Sequence, residues 1–451
     1  SWVEDGSMPL AEYHYPFENK EIFKKRYPGQ FVAEYIAQTR AWFYVLHVIS
    51  QVLFGKAPVQ NLVTTGNMLS EDGSKMSKSK NNFPDPWLTI NKYGADSLRF
   101  YLMNAVVMQA DDQNFAVKDL ENIHRKVPMI LWNVFNYFVT YAREAKWRVS
   151  SNTEPLTSNI LDRWILARTQ ELVNGATEHL DGYDTVRATR TIMDYIDDLS
   201  TWYLRRSRGR ADGAFFSTLH EALLAISTVI APIMPHLAEI IYLNLAEFGG
   251  AVRESVHLAP FPAVRDLTGE EKKLLRAMAV VREAASAGQA ARKALNIPVR
   301  QPLARLAIEL TAKDVALDDA LLAPLLAELN VKRYDPALMK EKGGAVHVSP
   351  GTKDVANVYL DTALTDQLKL EGLARGFERC VQEARKQAGF SVGEKATLTY
   401  ETAAEDFLRA MEFFDAAKTY SASVEKDIKE GAERFAYESE GKKIEFSLQK
   451  D

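Results

Sequence analysis

The sequence predicts a protein of several domains: an α/β region, then an all-α helix bundle, then a small α+β region. The region to about residue 105 mixes helical and strand patterns, whereas residues 106–262 hold long segments with apolar residues three and four apart. After residue 262, one charged helix precedes strands that alternate with helices. We therefore expect domains at 1–105, 106–262 and 263–451.

Composition and charge are those of an ordinary globular protein. Of the 451 residues, 47% are hydrophobic and 25% are charged, and the formal net charge is −5. Any contact with nucleic acid must therefore come from local basic patches. The single cysteine, Cys380, excludes a disulfide framework and a cysteine-rich zinc site, and it fits a reducing compartment.

Hydropathy predicts no membrane span. The longest apolar run, residues 222–234, is shorter than the roughly 20 residues that a bilayer requires, and Pro232 interrupts it. A buried core helix is the better interpretation of this run. We expect a cytoplasmic protein without membrane contact.

In the first region, a strand, a polar loop and a helix follow one another. Residues 34–54 are apolar at helical spacing, and VQNLVTTG (59–66) predicts a strand that ends at Gly66. Asp85 and Pro86 predict a helix start, because a capping carboxylate precedes proline at the first helical position. The loop between them should lie at the rim of an α/β sheet, where such sheets bind ligands.

This loop, DGSKMSKSKNN (72–82), contains three lysines and three serines. Most short basic runs are solvated loops. However, Lys75 and Lys78 are close enough to reach adjacent phosphates of one triphosphate and to neutralise a departing pyrophosphate. The chain has no P-loop and no GxGxxG fingerprint, so ordinary kinase and dinucleotide sites lack support. From the residues alone, a solvated loop and a phosphate site stay equally weighted.

The loop contains KMSKS (75–79), and with its flanks EDGSKMSKSKNNFPDP and YGADSLRFYLM it resembles the class I aminoacyl-tRNA synthetases. Three further segments resemble the isoleucyl-tRNA synthetases without a C-terminal zinc site: GSMPLAEYHYPFENKE, LNIPVRQPL (295–303) and residues 360–390. The resemblance covers essentially the whole chain. It implies the C-terminal half of a Rossmann-type catalytic domain, an anticodon-binding bundle and a small C-terminal α+β domain.

The resemblance also implies roles for the loop residues. Lys78 would contact ATP, assisted by Lys75 and with Met76 beside them. Ser77 and Ser79 would shape the catalytic loop. Mg²⁺ would accompany ATP, and no zinc is expected in this portion.

A second implied site lies in EYIAQTRAWF (34–43), which resembles the segment that lines the aminoacyl-adenylate pocket. Glu34, Gln38 and Trp42 would bind the adenylate. Without the resemblance, Glu34 would be interpreted as a helix-capping or surface carboxylate. Ala37 and Ala41 stand where the family more often has Asp and Gly.

A basic run, TWYLRRSRGR (201–210), follows a predicted bundle helix. Guanidinium planes and aromatic rings can stack on splayed bases while the cations hold phosphates. Alternatively, the cations suit a helix C-terminus, and Trp202 could be a core residue. The resemblance to the anticodon domain favours tRNA binding by Arg205, Arg206, Arg208, Arg210 and Trp202.

The family's other ATP motif, HxGH, is absent, because no two of the eight histidines are three residues apart. The resemblance places that motif in an N-terminal half, before an inserted editing domain. Editing is needed because a hydrophobic pocket separates isoleucine from valine by only about 1–3 kcal/mol. We expect a C-terminal fragment of an isoleucine enzyme for tRNA-Ile that is inactive alone. Alternatives are a natural split enzyme, a valine-enzyme fragment and a tRNA-binding module without catalysis.

Overall fold

The computed structural model describes residues 2–76, 82, 84–149, 157–250, 253–341, 345–391, 393–429, 432–439 and 441–450. These residues form two compact units, Ser1–Lys272 and Lys273–Asp451. Together they contain the α/β, all-helical and α+β parts that the sequence predicts.

The first unit begins with an α/β part in which two strands pair in parallel. Its helices and strands are α1 Trp2–Gly6, α2 Met8–Ala11, α3 Lys20–Arg26, β1 Gly29–Tyr35, α4 Trp42–Phe54, β2 Val59–Thr65, β3 Met68–Leu69, α5 Pro86–Tyr93, α6 Ala95–Met103 and β4 Gln113–Asn114. β1 pairs with β2, and β3 with β4, each in parallel. The helix start predicted at Asp85 is confirmed, because its Oδ1 accepts the backbone N–H of Trp87 at 2.8 Å.

The helix expected across residues 34–54 is shorter than predicted. Residues 34 and 35 end β1, residues 36–40 form a 3₁₀ helix, and the α-helix begins only at Trp42. The reason is the parallel ladder, in which Glu34 pairs with Thr64 and Tyr35 with Thr65. Tertiary pairing of this kind overrides local helical spacing.

The rest of the first unit is a helix bundle, as predicted. Its helices are α7 Val117–Lys126, α8 Pro128–Glu144, α9 Ile160–Asp181, α10 Thr185–Asp197, α11 Arg205–Ser207, α12 Gly213–Ile230 and α13 Pro235–Leu245. Prolines split two stretches, residues 120–144 and 217–245, whose apolar spacing predicts continuous helices: Pro128 begins α8, and Pro232 and Pro235 separate α12 from α13. A third helical stretch, residues 185–208, is interrupted by a π-helix, Asp198–Leu204, between α10 and α11.

Three polar side chains fasten the bundle to α6 and the residue after it. The carboxylate of Asp96 accepts the backbone N–H of Leu237 at 2.6 Å, in the first turn of α13. Arg99 donates to two backbone carbonyls between α12 and α13 at 2.8 and 2.9 Å. Thr189 of α10 donates to Asn104 Oδ1 at 3.0 Å. The α/β part and the bundle therefore share hydrogen bonds as well as apolar packing.

By length and composition, helix α12 could cross a membrane. This differs from the expectation that no stretch of the chain could do so. In the fold, 67% of it is buried, and it packs against α9 and α13. This position is that of a bundle core helix.

The second unit contains two four-stranded sheets. Helix α14 (Gly269–Ala294) enters it, and its other elements are β5 Leu303–Leu310, α15 Asp319–Leu329, β6 Val331–Tyr334, β7 Val346–Pro350, β8 Val355–Asp361, α16 Asp366–Gln387, β9 Ala396–Glu401, α17 Glu405–Ala410, β10 Ser421–Lys426, β11 Phe435–Ser439 and β12 Lys442–Lys450. The strand orders are β6-β5-β8-β7 and β10-β9-β12-β11. In each sheet one parallel pair is combined with antiparallel pairs.

Backbone groups hold two charged side chains of α14. Glu283 accepts N–H bonds from residues 352–355 at 2.7–3.2 Å; burial opposes ionisation, but these bonds prevail and lower its pKa to about 2. Arg292 is 1% exposed and donates to the carbonyls of Pro298, Gln301 and Asn330. Burial lowers the pKa of Arg292 to about 10. The segment LNIPVRQPL thus wraps a buried guanidinium.

One buried histidine gives the first unit a testable pH dependence. His220 of α12 is 8% exposed and lies between the rings of Phe138 and Trp147, with centroids 5.8 and 5.6 Å away. Burial lowers its pKa below the ordinary 6.5. The unfolded chain therefore binds a proton at that residue more readily, and stability decreases as the pH falls below about 6.5.

We expect His220→Phe to reduce this loss of stability between pH 7.5 and pH 5.5. All seven tryptophans lie in the first unit, so tryptophan fluorescence during thermal unfolding reports on that unit. His257→Gln, a change at an exposed histidine, is the matched control. The expectation is wrong if His220→Phe and the parent chain lose the same number of degrees in Tm.

Candidate active site

The carboxyl ends of β1 and β2 define one edge of the first unit. The two strands run in parallel with Tyr35 beside Thr65, so both chains leave the sheet on the same side. Open α/β sheets bind ligands at this kind of edge. The segment after β1 contains Gln38 and Trp42, and the segment after β2 leads to Lys75. The pairing therefore brings the two predicted sets of site residues to one edge.

An open cleft of about 600 Å³ contains all three predicted adenylate-binding residues. Glu34 is exposed at the next-to-last position of β1. Gln38 lies in the 3₁₀ helix, and its Oε1 accepts the backbone N–H of Trp42 at 3.1 Å. The Trp42 indole Nε1 donates to the Asp5 carbonyl at 3.0 Å, which holds the ring against α1. The fold thus brings the three side chains together, and their binding of an adenylate stays a prediction.

The chain that leaves β2 is held closely against residues 107–112. A Cβ atom at Gly66 would lie 2.0 Å from the Asp111 carbonyl oxygen, so only glycine fits there. The Gly66 N–H donates to the Val107 carbonyl at 2.7 Å. Asn67 donates from its backbone and its side chain to Asp112 Oδ1 at 2.8 and 2.9 Å. These contacts direct the chain from β2 into the lysine segment, residues 75–82.

A tight turn, residues 70–74, directly precedes the lysine segment. Ser70 Oγ donates to Asp72 Oδ1 at 2.5 Å, and the Ser74 N–H donates to the same oxygen at 2.9 Å. The Ser70 and Ser74 hydrogen bonds lower the pKa of Asp72 to about 2. Gly73 has φ +81°, the left-handed conformation that glycine adopts without strain.

The first two residues of the lysine segment have different surroundings. Lys75 pairs with Leu69 in an antiparallel bridge, and its side chain is exposed. Met76 is half-buried and packs on the cluster of Tyr93, Tyr101, Phe115 and Leu120. Its packing role is visible in the fold, and the predicted contact of Met76 with ATP stays a prediction. Ser77, Lys78 and Ser79 lie outside the described residues, so their predicted roles also stay predictions.

The five predicted RNA-binding residues differ in their surroundings. Arg205 and Arg208 are exposed, whereas Arg206 and Trp202 are half-buried. Trp202 belongs to the π-helix rather than to a regular helix end. Such π segments are frequent at functional sites. The guanidinium of Arg210 is held by protein carboxylates.

Arg210 forms a bidentate ion pair with the fully buried Asp162, at 2.7 and 2.8 Å. Asp162 also accepts hydrogen bonds from the hydroxyls of Tyr203 at 2.9 Å and Thr157 at 2.7 Å. Asp212 holds the Arg210 Nε at 3.0 Å. Burial raises the pKa of Tyr203 well above its usual range, and the Asp162 carboxylate adds to the shift. Arg210 therefore has a structural role in joining α9 to the turn between α11 and α12.

Two family models match the chain. The model of tRNA synthetases class I (I, L, M and V) matches residues 1–114, and the model of the anticodon-binding domain of tRNA ligase matches residues 162–308. The chain belongs to the class I tRNA synthetases. The first match contains the cleft and the lysine segment of this synthetase chain, and the second contains its basic run.

Relatives of this synthetase chain extend along most of its length. An isoleucine--tRNA ligase of Protochlamydia amoebophila is 32% identical over 93% of the chain and 47% of its own length. One of Dehalococcoides mccartyi is 36% identical over 90% of the chain and 41% of its own length. The predicted resemblance to isoleucyl-tRNA synthetases is confirmed, and the chain spans about half the length of these relatives.

A methionyl-tRNA synthetase of Mycobacterium tuberculosis, solved in complex with methionyl-adenylate, is similar to the chain with a TM-score of 0.48. It is 20% identical, and the match covers 59% of this synthetase chain and 55% of that protein.

Two features of this synthetase chain were not predictable from local sequence patterns. Arg210 ends a basic run and is indistinguishable there from its neighbours. Its partner Asp162 is 48 residues away in the chain, where spacing gives no signal of the pair. Asn82 lies in the quoted lysine run without a predicted role, yet it contacts Ser74, Lys75 and Ser70. A side-chain amide after a loop is too common to indicate such contacts.

Asp162→Asn is expected to lower the free energy of unfolding of the first unit by about 3 kcal/mol, because it removes the counter-charge of a partly buried guanidinium. Urea unfolding followed by tryptophan fluorescence measures this change. Arg208→Ala, at an exposed arginine of the same run, is the control and should change stability by less than about 0.5 kcal/mol. Equal small effects of both variants would contradict the structural role of the Asp162–Arg210 pair.

Proposed function

We propose that this chain is the C-terminal portion of an isoleucine--tRNA ligase, which activates isoleucine with ATP and transfers it to tRNA-Ile. The observation that carries the proposal is the cleft of Glu34, Gln38 and Trp42 at the strand edge where the lysine segment also begins. The choice of isoleucine is supported by ligases of that specificity, which are 32% and 36% identical over 93% and 90% of the chain.

The proposed reaction has two steps. The carboxylate of isoleucine attacks the α-phosphorus of ATP, the bond to the β-phosphate breaks, and pyrophosphate leaves. Lys75 and Lys78 neutralise the charge that develops on pyrophosphate, a task that suits lysine as a mobile point charge. In the second step a terminal hydroxyl of tRNA attacks the acyl carbon of the adenylate, and AMP leaves.

The cleft supplies groups for the other end of the adenylate. Glu4, Asp5 and Glu34 are among its lining residues, so it is acidic. Carboxylates accept hydrogen bonds from the ammonium group of an amino acid and from ribose hydroxyls. The Trp42 ring offers an apolar face beside them. The cations of the lysine segment bind the anionic phosphates instead. The acidic and the basic groups are thus separated along one edge.

Mg²⁺ belongs to this proposal as the ion that accompanies ATP. Among the described residues, no three side chains of His, Cys, Asp or Glu converge into a metal-binding group. Magnesium bound through substrate phosphates needs few protein ligands, because it retains several waters. We therefore derive no step through the ion and assign it no protein ligand. Zinc has no role in this proposal.

An N-terminal half, with HxGH and an editing domain, is the proposed partner that completes the catalytic domain. In the described part of the chain, β1 pairs only with β2, so its other edge has backbone groups available for pairing. Phe31 of β1 is 49% exposed and Leu62 of β2 is 47% exposed. A further strand would pair with that edge and cover apolar surface. The chain alone is accordingly inactive.

The proposed RNA surface is formed by Arg205, Arg208 and Trp202, with Arg206 beside them. The two exposed guanidiniums can hold phosphates of tRNA-Ile, and an indole can stack on an unpaired base. Arg210 is left out of this surface because Asp162 and Asp212 hold it. We place the protein in the cytoplasm, without membrane contact, in keeping with its single cysteine.

Three alternatives are separated by experiment. A natural split enzyme has the same site but a partner encoded as a separate chain. A valine enzyme has the same site but prefers valine in the exchange reaction. A tRNA-binding module binds RNA and supports no exchange, although KMSKS would then serve no purpose.

We expect isoleucine-dependent ATP–pyrophosphate exchange only when the chain is combined with the N-terminal half of a similar isoleucine--tRNA ligase. Lys78→Ala should lower that exchange at least 100-fold, because the charge on pyrophosphate loses a stabilising cation. Lys20→Ala, at an exposed lysine of α3, is the matched control.

Exchange by the chain alone would contradict the need for the partner. Exchange that prefers valine would move the proposal to the valine enzyme. Binding of tRNA without exchange in any combination would favour the binding module.

Arg205→Ala combined with Arg208→Ala should weaken tRNA-Ile binding about tenfold and flatten its salt dependence, because two phosphate contacts are lost. Filter binding at several salt concentrations measures both quantities. Arg190→Ala, at an exposed arginine of α10, is the matched control. An unchanged salt slope in the double variant would place the RNA elsewhere.

A further inference from the structure

One side chain connects the end of the lysine segment to its beginning. The Asn82 Nδ2 lies 2.9 Å from Ser74 Oγ, 3.2 Å from the Lys75 carbonyl oxygen and 3.4 Å from Ser70 Oγ. We propose that Asn82 is a positioning residue, which holds the backbone of Lys75 against the turn of Ser70 and Ser74 and so fixes where Lys75 stands. The proposal rests on the function of Lys75 given above.

The residues that accept hydrogen bonds from Asn82 are themselves held in place. Ser70 Oγ donates to Asp72, and its backbone N–H donates to the Ser74 carbonyl at 2.9 Å. The two serine hydroxyls lie 2.8 Å apart. Because its hydrogen bonds keep Asp72 ionised above about pH 2, this turn keeps its hydrogen-bond directions throughout the neutral range. Asn82 therefore binds a defined set of acceptors.

Both ends of the lysine segment are also fixed to the body of the first unit. At its beginning, Lys75 pairs with Leu69, and Met76 packs into the apolar cluster below. At its end, Asp85 caps α5 three residues after Asn82. The Asn82 hydrogen bonds thus join two fixed points, and only residues 77–81 lie between Met76 and Asn82 in the sequence.

The contact with the Lys75 carbonyl requires a donor at position 82. The Lys75 carbonyl can only accept, and the amide nitrogen of asparagine supplies two N–H groups. A carboxylate of the same size would face that carbonyl oxygen without a hydrogen and would be repelled. Asn82→Asp therefore removes the hydrogen bond to the Lys75 carbonyl with almost no change of volume, and it is a sharper variant than Asn82→Ala.

Holding the Lys75 backbone restricts the space in which its ammonium group moves. A catalytic group held near its target acts at a high effective concentration, and a misplacement of about 1 Å can cost around 100-fold in rate. The loss should fall on adenylate formation, in which pyrophosphate leaves. Transfer from preformed adenylate to tRNA involves no pyrophosphate and should be unaffected. A merely structural defect would impair both steps.

The first test uses the chain alone and does not depend on its function. Hydrogen–deuterium exchange of the peptide that contains residues 70–76 should become about tenfold faster in Asn82→Asp, because the Lys75 carbonyl loses its hydrogen bond from residue 82. Glu71→Gln, at an exposed side chain of the same turn, should leave the exchange unchanged. Equal hydrogen exchange in Asn82→Asp and the parent chain would refute the connection.

The second test uses the chain combined with the N-terminal half. Asn82→Asp should lower kcat of ATP–pyrophosphate exchange about 10- to 100-fold, with KM for isoleucine unchanged and transfer from preformed isoleucyl-adenylate unchanged. In a Lys75→Ala background the same substitution should have little further effect, because it acts through that lysine.

Equal losses in both steps, or a full additional loss in the Lys75→Ala background, would overturn the positioning role. No exchange by the parent combination would instead reject the proposed function. In that case the hydrogen exchange result still decides whether Asn82 connects the two ends.

Discussion

The parallel pairing of β1 with β2 is the constraint on which the candidate site depends. Parallel strands cannot be joined by a tight turn, so the chain crosses over through α4. The crossover begins with the 3₁₀ helix that carries Gln38, and the second strand ends at Gly66 on the same edge. Because a Cβ atom at Gly66 would collide with the Asp111 carbonyl, the path towards the lysines allows little variation.

Charged side chains organise both units by the same rule: each is held by hydrogen-bonding groups of another segment of the chain. In the first unit, Asp96 binds the first turn of α13, and Asp162 binds Arg210. In the second unit, the backbone of residues 352–355 holds Glu283, and three carbonyls hold Arg292. Ions of this kind add little net stability but are costly to leave unpaired, so they specify one arrangement of the chain.

The lysine segment combines charge with order at its base. Phosphate chemistry needs cations that reach the ligand, and a long side chain on a loop provides reach at the expense of position. Packing of Met76 and the hydrogen bonds of Asn82 restore position at the two ends of the segment. The exposed edge of β1 and the acidic cleft lie in the same α/β part. A partner that completes the sheet would therefore also complete the site.

Local sequence determined the elements whose causes are local: the strand at 59–65, the cap at Asp85, the bundle helices, and the motif that identifies the family. Periodicity, capping chemistry and proline act over a few residues, so they can be recognised in one dimension. Only the tertiary structure decided that residues 34 and 35 belong to a strand, that Arg210 turns inward while Arg208 does not, and that Asn82 returns to Ser74. Each of these depends on a partner brought near by folding, and the identity of that partner is not encoded in the spacing around the residue itself.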